Sequence, residues 1–176
     1  VSPWYEDFLA TGERWEKRGK RMDEQIDILK GLMNGEYYSF KGEFYDIPEL
    51  KLCPTPSKAV PILIGGHSKL ALKRAARIGD GWISAGITLD ETKEFIDQIN
   101  IFRKEYGTLD HPNYQFQVMG EAAYSPDGIK NLEDLGATEV IVAFRNAYEG
   151  GKDERTLDGM IAEMNWYAEE VINKSR

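Results

Sequence analysis

The stretch Ile62 to Gly86, ILIGGHSKLALKRAARIGDGWISAG, leaves this chain few ways to fold. Val60 to Ile64 is a short apolar run with β-branched residues and reads as a buried strand. Gly65 and Gly66 allow a sharp turn and a close approach of backbone to a ligand. Ser68 is placed to cap a helix, and Gly79 to end it. Gly81 to Ala85 reads as a second buried strand. Two parallel strands joined by one helix make a βαβ unit with a right-handed crossover. Its first loop aims backbone N–H groups outward at a helix N-terminus, an arrangement suited to an anion. The same residues also suit a tight capped turn with no ligand.

The flanking segments extend this alternation. Thr88-x-x-Glu91 has the form of a capping box, and the helix after it carries Phe95, Ile99 and Phe102 on one stripe and stops at Gly107. Tyr114 to Tyr124 reads as a third strand. Ser125-Pro126 opens a helix with Ile129, Leu132 and Leu135 on one face, ended by Gly136. Thr138 to Phe144, TEVIVAF, reads as a fourth strand buried on both faces. A last helix is expected over Arg155 to Asn173, with Leu157, Met160, Ile161, Met164, Ala168 and Val171 on one side. The β-α order from Val60 onward predicts a parallel sheet covered by helices, either open or half of an eight-stranded barrel.

The first 59 residues read differently. Ser2-Pro3 is expected to start a short helix through Ala10, interrupted at Gly12. A second helix is expected from Arg14 to Met33, with Met22, Ile26, Leu29 and Met33 on its apolar face. Tyr37 to Ile47 suggests a small hairpin or an ordered loop. Pro48 to Pro61 holds four prolines and must be an extended connector, expected to be packed irregular structure.

Composition narrows the function classes. The 176-residue chain carries a net charge of −8 without a basic stripe, which argues against nucleic acid and against an anionic membrane surface. No apolar run approaches a membrane span, and no basic-then-apolar leader is seen. The single cysteine, Cys53, fits a reducing compartment, so a cytoplasmic location is expected. The chain does not begin with Met, as expected of a processed chain or a piece of a longer one.

In parallel α/β folds, ligands bind at the carboxyl ends of the strands. Four loops qualify: Gly65 to Ser68, Ser84 to Thr88, Ser125 to Gly128 and Arg145 to Lys152. The first suits a phosphate, with N–H donors at Gly66, His67 and Ser68 and the Ser68 hydroxyl. Ser84 is expected to reach the same ligand, and Arg145 stands where it would clamp a phosphate or carboxylate. His67 and His111 also read as solvated loop residues, and Lys69, Lys73, Arg74 and Arg77 as the wet face of a helix. Trp4, Trp15, Trp82 and Trp166 read as packing. No metal-ligand cluster, Walker loop, dinucleotide fingerprint or nucleophile elbow is present, and no catalytic residue can be assigned.

The segments TGERW, RMDEQIDILKGLMNGEYYSFKGEFYDI, PILIGGHSKLALKRAARIGDGW and LEDLGATEVIVAF resemble the luciferase-like monooxygenase family, over nearly the whole chain. That family comprises flavin-dependent monooxygenases and oxidoreductases using the deazaflavin coenzyme F-420. The resemblance implies an α/β fold, the C-terminal half of a TIM (β/α)8 barrel comprising strands five to eight, with helices on its outer face. It implies one partial-barrel domain over 1–176, made of a helical and proline-rich insertion region (1–59) and four βα units (60–176). It maps Gly65, Gly66 and Ser68 onto the loop that holds the cofactor phosphate, and Ile83, Ser84 and Ala85 onto the strand end beside it. With Ile64 and His67, these form the candidate cofactor-binding set. Ser2 and Asp7 stand where family members often carry glycine and glutamate.

The implied cofactor is coenzyme F-420 or FMN, the GGHSKLALKRAARIGDGW run looking most like the deazaflavin users. The implied activity is that of an oxidoreductase acting on a small-molecule substrate. A complete barrel takes about 250 residues. Half a barrel leaves two unpaired strand edges, so a homo-oligomer or the missing N-terminal half is the expected partner. Two other readings remain at this stage. One is a non-catalytic cofactor-binding or assembly module. The other is an unrelated open sheet with helices on both faces. A Gly66→Val substitution is expected to weaken cofactor binding with less effect on folding.

Overall fold

The computed structural model describes residues 2–145 and 154–175. The chain divides into two compact units, Val1–Pro61 and Ile62–Arg176.

The first unit holds two helices and a hairpin. Helix α1 spans Tyr5–Thr11 and ends at Gly12, whose φ of 69° is left-handed. Its start is later than Ser2-Pro3 suggests, because Ser2 Oγ accepts the Trp4 N–H at 3.1 Å and forms a local turn instead of a cap. Helix α2, Arg18–Met33, also starts later than expected. Lys17 before it sits at φ 54°, outside the helical region. Trp15 explains the break. Its ring meets Tyr5 and Phe8 edge-on at 5.7 and 5.1 Å, and the Arg18 guanidinium lies 3.5 Å from its centre. Along α2, Ile26 is buried, whereas Leu29 is exposed.

Strands β1 (Tyr38–Lys41) and β2 (Asp46–Leu50) pair antiparallel, so the aromatic segment is a hairpin. Glu24 on α2 fastens its turn. Its carboxylate accepts the N–H groups of Glu43, Phe44 and Tyr45 at 2.6, 3.0 and 3.1 Å. Of the connector expected over Pro48 to Pro61, residues 48–50 belong to β2, while 51–61 form no strand or helix and are almost all exposed, so the packed irregular structure expected there is not found.

The second unit is built on a four-stranded parallel sheet in sequence order: β3 (Leu63–Gly65), β4 (Gly81–Ile83), β5 (Gln115–Met119) and β6 (Glu139–Ile141). Between them run α3 (Lys69–Ile78), α4 (Leu89–Tyr106) and α5 (Pro126–Asp134), and α6 (Leu157–Tyr167) follows. Ile64, Trp82 and Phe116 stand in register on one face, all buried. That face meets Leu72, Ala75, Ala76 and Ile99 of the helices, all at or below 1 % exposure. Leu63, Ile83, Gln115, Gln117, Met119 and Ile141 belong to the opposite face and are half-buried. Successive helices contact one another, α3 with α4 and α4 with α5, so they form one layer. An open sheet with helices on both faces does not have this arrangement.

Several expected boundaries move. The first strand begins at Leu63 instead of Val60, and the second ends at Ile83. The third strand stops at Met119; Glu121–Tyr124 is a 3₁₀ turn, because Gly120 approaches the Ile87 carbonyl so closely that a Cβ would lie 2.2 Å from it. The fourth strand has only three residues and lies at the edge of the sheet, with Val140 and Ile141 half-exposed instead of buried. In the last helix, Leu157, Ile161 and Met164 are exposed, while Tyr167 and Val171 are buried. Within α6 the inward stripe runs through Met160, Glu163 and Tyr167, one residue off the expected one, before a π-helical segment over Ala168–Ile172.

Candidate functional site

The carboxyl ends of β3 and β4 lie side by side, with Gly65 opposite Ile83. From β3 the chain enters Gly66 at φ +114°, a backbone conformation that L side chains rarely adopt. A Cβ at Gly66 would also lie 3.0 Å from that of Ala71. The glycine therefore brings the loop down onto the first turn of α3. Ser68 caps that helix, its Oγ accepting the Ala71 N–H at 3.3 Å. The N–H groups opening a helix have no partner within it and point along its axis, out toward the loop.

Trp82 supplies the element that sequence reasoning missed. Its ring is fully buried under the sheet, and its Nε1 donates to the Gly66 carbonyl at 3.0 Å. A packing residue thus also fixes the loop. The available signal was that tryptophan carries an N–H needing a partner when buried. The Trp82 ring meets Phe95 of α4 edge-on at 5.7 Å, and His67 stacks on the same Phe95 at 5.1 Å and 18°.

The candidate residues fall into two groups. Gly65, Gly66, His67, Ser68 and Ala85 are exposed and lie at the two strand ends, and His67 Nε2 accepts the Ala85 N–H at 3.2 Å. Ile64 is buried and Ile83 is half-buried. Ser84 is 5 % exposed, and its Oγ accepts the Met119 N–H at 2.8 Å. Its hydroxyl ties β4 to β5 instead of reaching outward as expected. Arg145 lies at the limit of the described chain, and 146–152 of the last candidate loop lie outside the described residues.

A depression of about 740 Å³ opens at the ends of β4 and β5, lined by Gly86, Thr88, Asp90, Gly120, Glu121 and Ala122 among others. That size falls in the range of small-molecule sites, ~300–1,000 Å³. Sequence reading placed residues 120–122 inside a strand; the signal against it was Gly120 itself. The rim at Thr88 is fastened by a capping box. Thr88 Oγ1 accepts the Glu91 N–H at 3.2 Å, and the Glu91 carboxylate accepts the Thr88 N–H at 2.9 Å. These contacts hold the Glu91 carboxyl below its ordinary range. Among the described residues, no group of three or more His, Cys, Asp and Glu is poised for a metal ion. No helix there is long and apolar enough to cross a membrane.

The model of the luciferase-like monooxygenase family matches residues 3–151. The chain belongs to this family. An uncharacterized protein of Mycobacterium tuberculosis is 44 % identical over 174 residues, covering 99 % of this chain and 59 % of that protein. The chain thus spans about three-fifths of that relative's length. An FMNH2-dependent dimethylsulfone monooxygenase of Pseudomonas fluorescens is 33 % identical over 103 residues, 56 % of this chain and 28 % of that enzyme. Among solved structures, an F420-dependent secondary alcohol dehydrogenase in complex with an F420-acetone adduct superposes with a TM-score of 0.57 at 16 % identity. It covers 93 % of this chain and 58 % of the other. At that identity the likeness concerns the fold, the parallel α/β architecture of luciferase-like proteins.

Proposed function

We propose that this chain is the phosphate-holding part of a flavin- or deazaflavin-dependent oxidoreductase or monooxygenase, with FMN or coenzyme F-420 as its cofactor. The observation that carries the reading is the Gly65–Ser68 loop. Gly66 sits at φ +114°, its carbonyl is fixed by Trp82, and its neighbour Ser68 caps α3. The donor set fits the group: a side-chain-free turn, packed so closely on Ala71 that a Cβ at Gly66 would crowd it, and a helix start.

In this reading, Gly65, Gly66, His67 and Ser68 face the phosphate, Ala85 flanks it, and Ile64, Ile83 and Ser84 position the two strand ends. The cofactor, when bound, supplies hydride transfer or oxygen activation. The protein's share is to bind and orient it. The depression beside Thr88 and Gly120 then takes the small-molecule substrate or the distal part of the cofactor.

The four strands are proposed as strands five to eight of a (β/α)8 barrel, with residues 1–59 as an insertion before the first. The edges of β3 and β6 then pair with strands from the part of its relatives' length that this chain does not span, or from a second copy. The FMNH2-dependent relative and the F420-bound structural neighbour support both cofactor choices. A reducing cytoplasmic setting fits such a cofactor and the single cysteine.

Titration of the protein with FMN and with F-420, followed by absorbance and fluorescence, tests the proposal. Saturable binding that Gly66→Val weakens is expected, with reduction of the bound cofactor once substrate is supplied. Binding without turnover would reduce the chain to a holding module. Binding of neither cofactor would overturn the reading.

A further inference from the structure

His67 joins the two strand ends through a single nitrogen. Its Nε2 accepts the Ala85 N–H at 3.2 Å, while the ring lies nearly parallel to Phe95. An imidazole nitrogen accepts a hydrogen bond only when it carries no proton, so this contact belongs to the neutral ring with its proton on Nδ1. A protonated ring donates from both nitrogens and turns a donor toward the Ala85 N–H. The contact is then lost, and two donors stand at the same place.

We propose that His67 is a proton-dependent latch on the phosphate loop. When neutral, it occupies the Ala85 N–H. When it takes a proton from solvent onto Nε2, it releases that N–H, and both donors turn to an anionic phosphate ester. Ligand binding is thereby coupled to uptake of one proton. The inference rests on the phosphate-site reading above.

Glu91, in the first turn of α4, has a charge that couples to the imidazole. Its carboxylate is held by Thr88, so it is a fixed negative neighbour and not a competing acceptor. Strand β4 is Gly-Trp-Ile and adds no charge, while Lys69 opens α3 two residues beyond His67. Phe95 stacks against the ring, and Trp82 lies 6.1 Å from it at a tilt, so the ring moves along an aromatic wall.

Two measurements decide the matter. The first needs no ligand. The Ala85 amide is followed by hydrogen exchange between pH 5 and 8, where histidines titrate. Its protection factor is expected to fall at least tenfold on acidification. In His67→Gln, whose side-chain oxygen accepts but does not titrate, it should stay level. Protection that is constant in the native protein, or that falls equally in the variant, overturns the latch.

The second measurement is calorimetry with FMN, and then F-420, at pH 7.5 in buffers of different ionisation heat. A phosphate ester has its own ionisation near pH ~6, so the variant serves as the reference. The native protein is expected to take up more of a proton than His67→Gln, up to one, a limit equivalent to about tenfold in affinity per pH unit. Equal uptake overturns the proposal. Absence of binding in both proteins counts against the phosphate site itself and leaves the exchange experiment to judge the latch.

Discussion

The indole of Trp82 and the carbonyl of Gly66 are joined by a 3.0 Å hydrogen bond, so the most buried ring of the sheet also sets the loop leaving the neighbouring strand. Without that bond the carbonyl would have to find water or turn away. Trp82→Phe keeps an aromatic body and removes only the N–H. It is expected to cost about 1–2 kcal/mol of stability and to weaken FMN or F-420 binding several-fold. Thermal melts and cofactor titrations measure the two effects. A variant that matches the native protein in both would show that the bond positions nothing.

Gly66→Ala is the milder probe of the same loop. The positive φ makes any side chain there strained, at about 1–3 kcal/mol, and the Ala71 methyl lies in its path. Sequence reasoning expected Gly66→Val to affect binding more than folding. The backbone angle changes that expectation: both substitutions should lower the melting temperature as well as the affinity. An unchanged melting temperature would mean that the loop relaxes freely to another conformation.

Glu24 gives a local prediction in the first unit. Its carboxylate accepts three consecutive backbone N–H groups in the hairpin turn. Glu24→Gln retains the shape but replaces one acceptor oxygen with a donor. A hydrogen bond to a charged group contributes about 1.5–3 kcal/mol net, and Gln keeps part of the set, so a loss of about 1–2 kcal/mol is expected. Amide exchange at Glu43, Phe44 and Tyr45 should accelerate more than exchange elsewhere in the unit. Uniform acceleration would point to a general loss of stability instead.

Tyr114 offers the opposite sign. Its hydroxyl is buried without a hydrogen-bond partner, while its ring lies 3.9 Å from the Arg103 guanidinium. Tyr114→Phe keeps the stacking and removes the unsatisfied group, so a gain of up to about 1 kcal/mol is expected. Burial also pushes the Tyr114 hydroxyl above its ordinary value of 10. A folded-state value raised in this way gives stability that is fully present below pH 10 and lost as pH rises further. The native protein should therefore weaken above pH 10, and Tyr114→Phe less so. Chemical denaturation at pH 7 and at pH 10.5 checks both statements.

Much of the second unit was legible because its punctuation is local. Ser68, Thr88 with Glu91, Ser125 and Gly107 all do what their residue types suggest at helix ends. The aromatic segment read as a hairpin or an ordered loop; it is a hairpin whose second strand runs on through Pro48 to Leu50. The misplacements arise where a distant contact or an unusual turn intervenes. Gly120 ends β5 because the Ile87 carbonyl lies against it, a contact between segments 33 residues apart in number. The inward stripe of the last helix includes Glu163, a polar position that a stripe drawn through apolar residues alone passes over. Ser84 illustrates the limit at the site. Its place at a strand end was correctly read, but the direction of its hydroxyl depends on Met119 of the next strand.

In the proposed reading, a grip made of backbone N–H groups and a capping hydroxyl, on a loop whose Gly66 carbonyl is fixed by the Trp82 indole, reads a phosphate and little beyond it. Such a loop is blind to the ring at the far end of the molecule it holds. Discrimination between an isoalloxazine and its deaza counterpart must then be made by side chains elsewhere. The loop can stay unchanged while the chemistry above it diverges, so one scaffold can serve oxygenases and dehydrogenases alike.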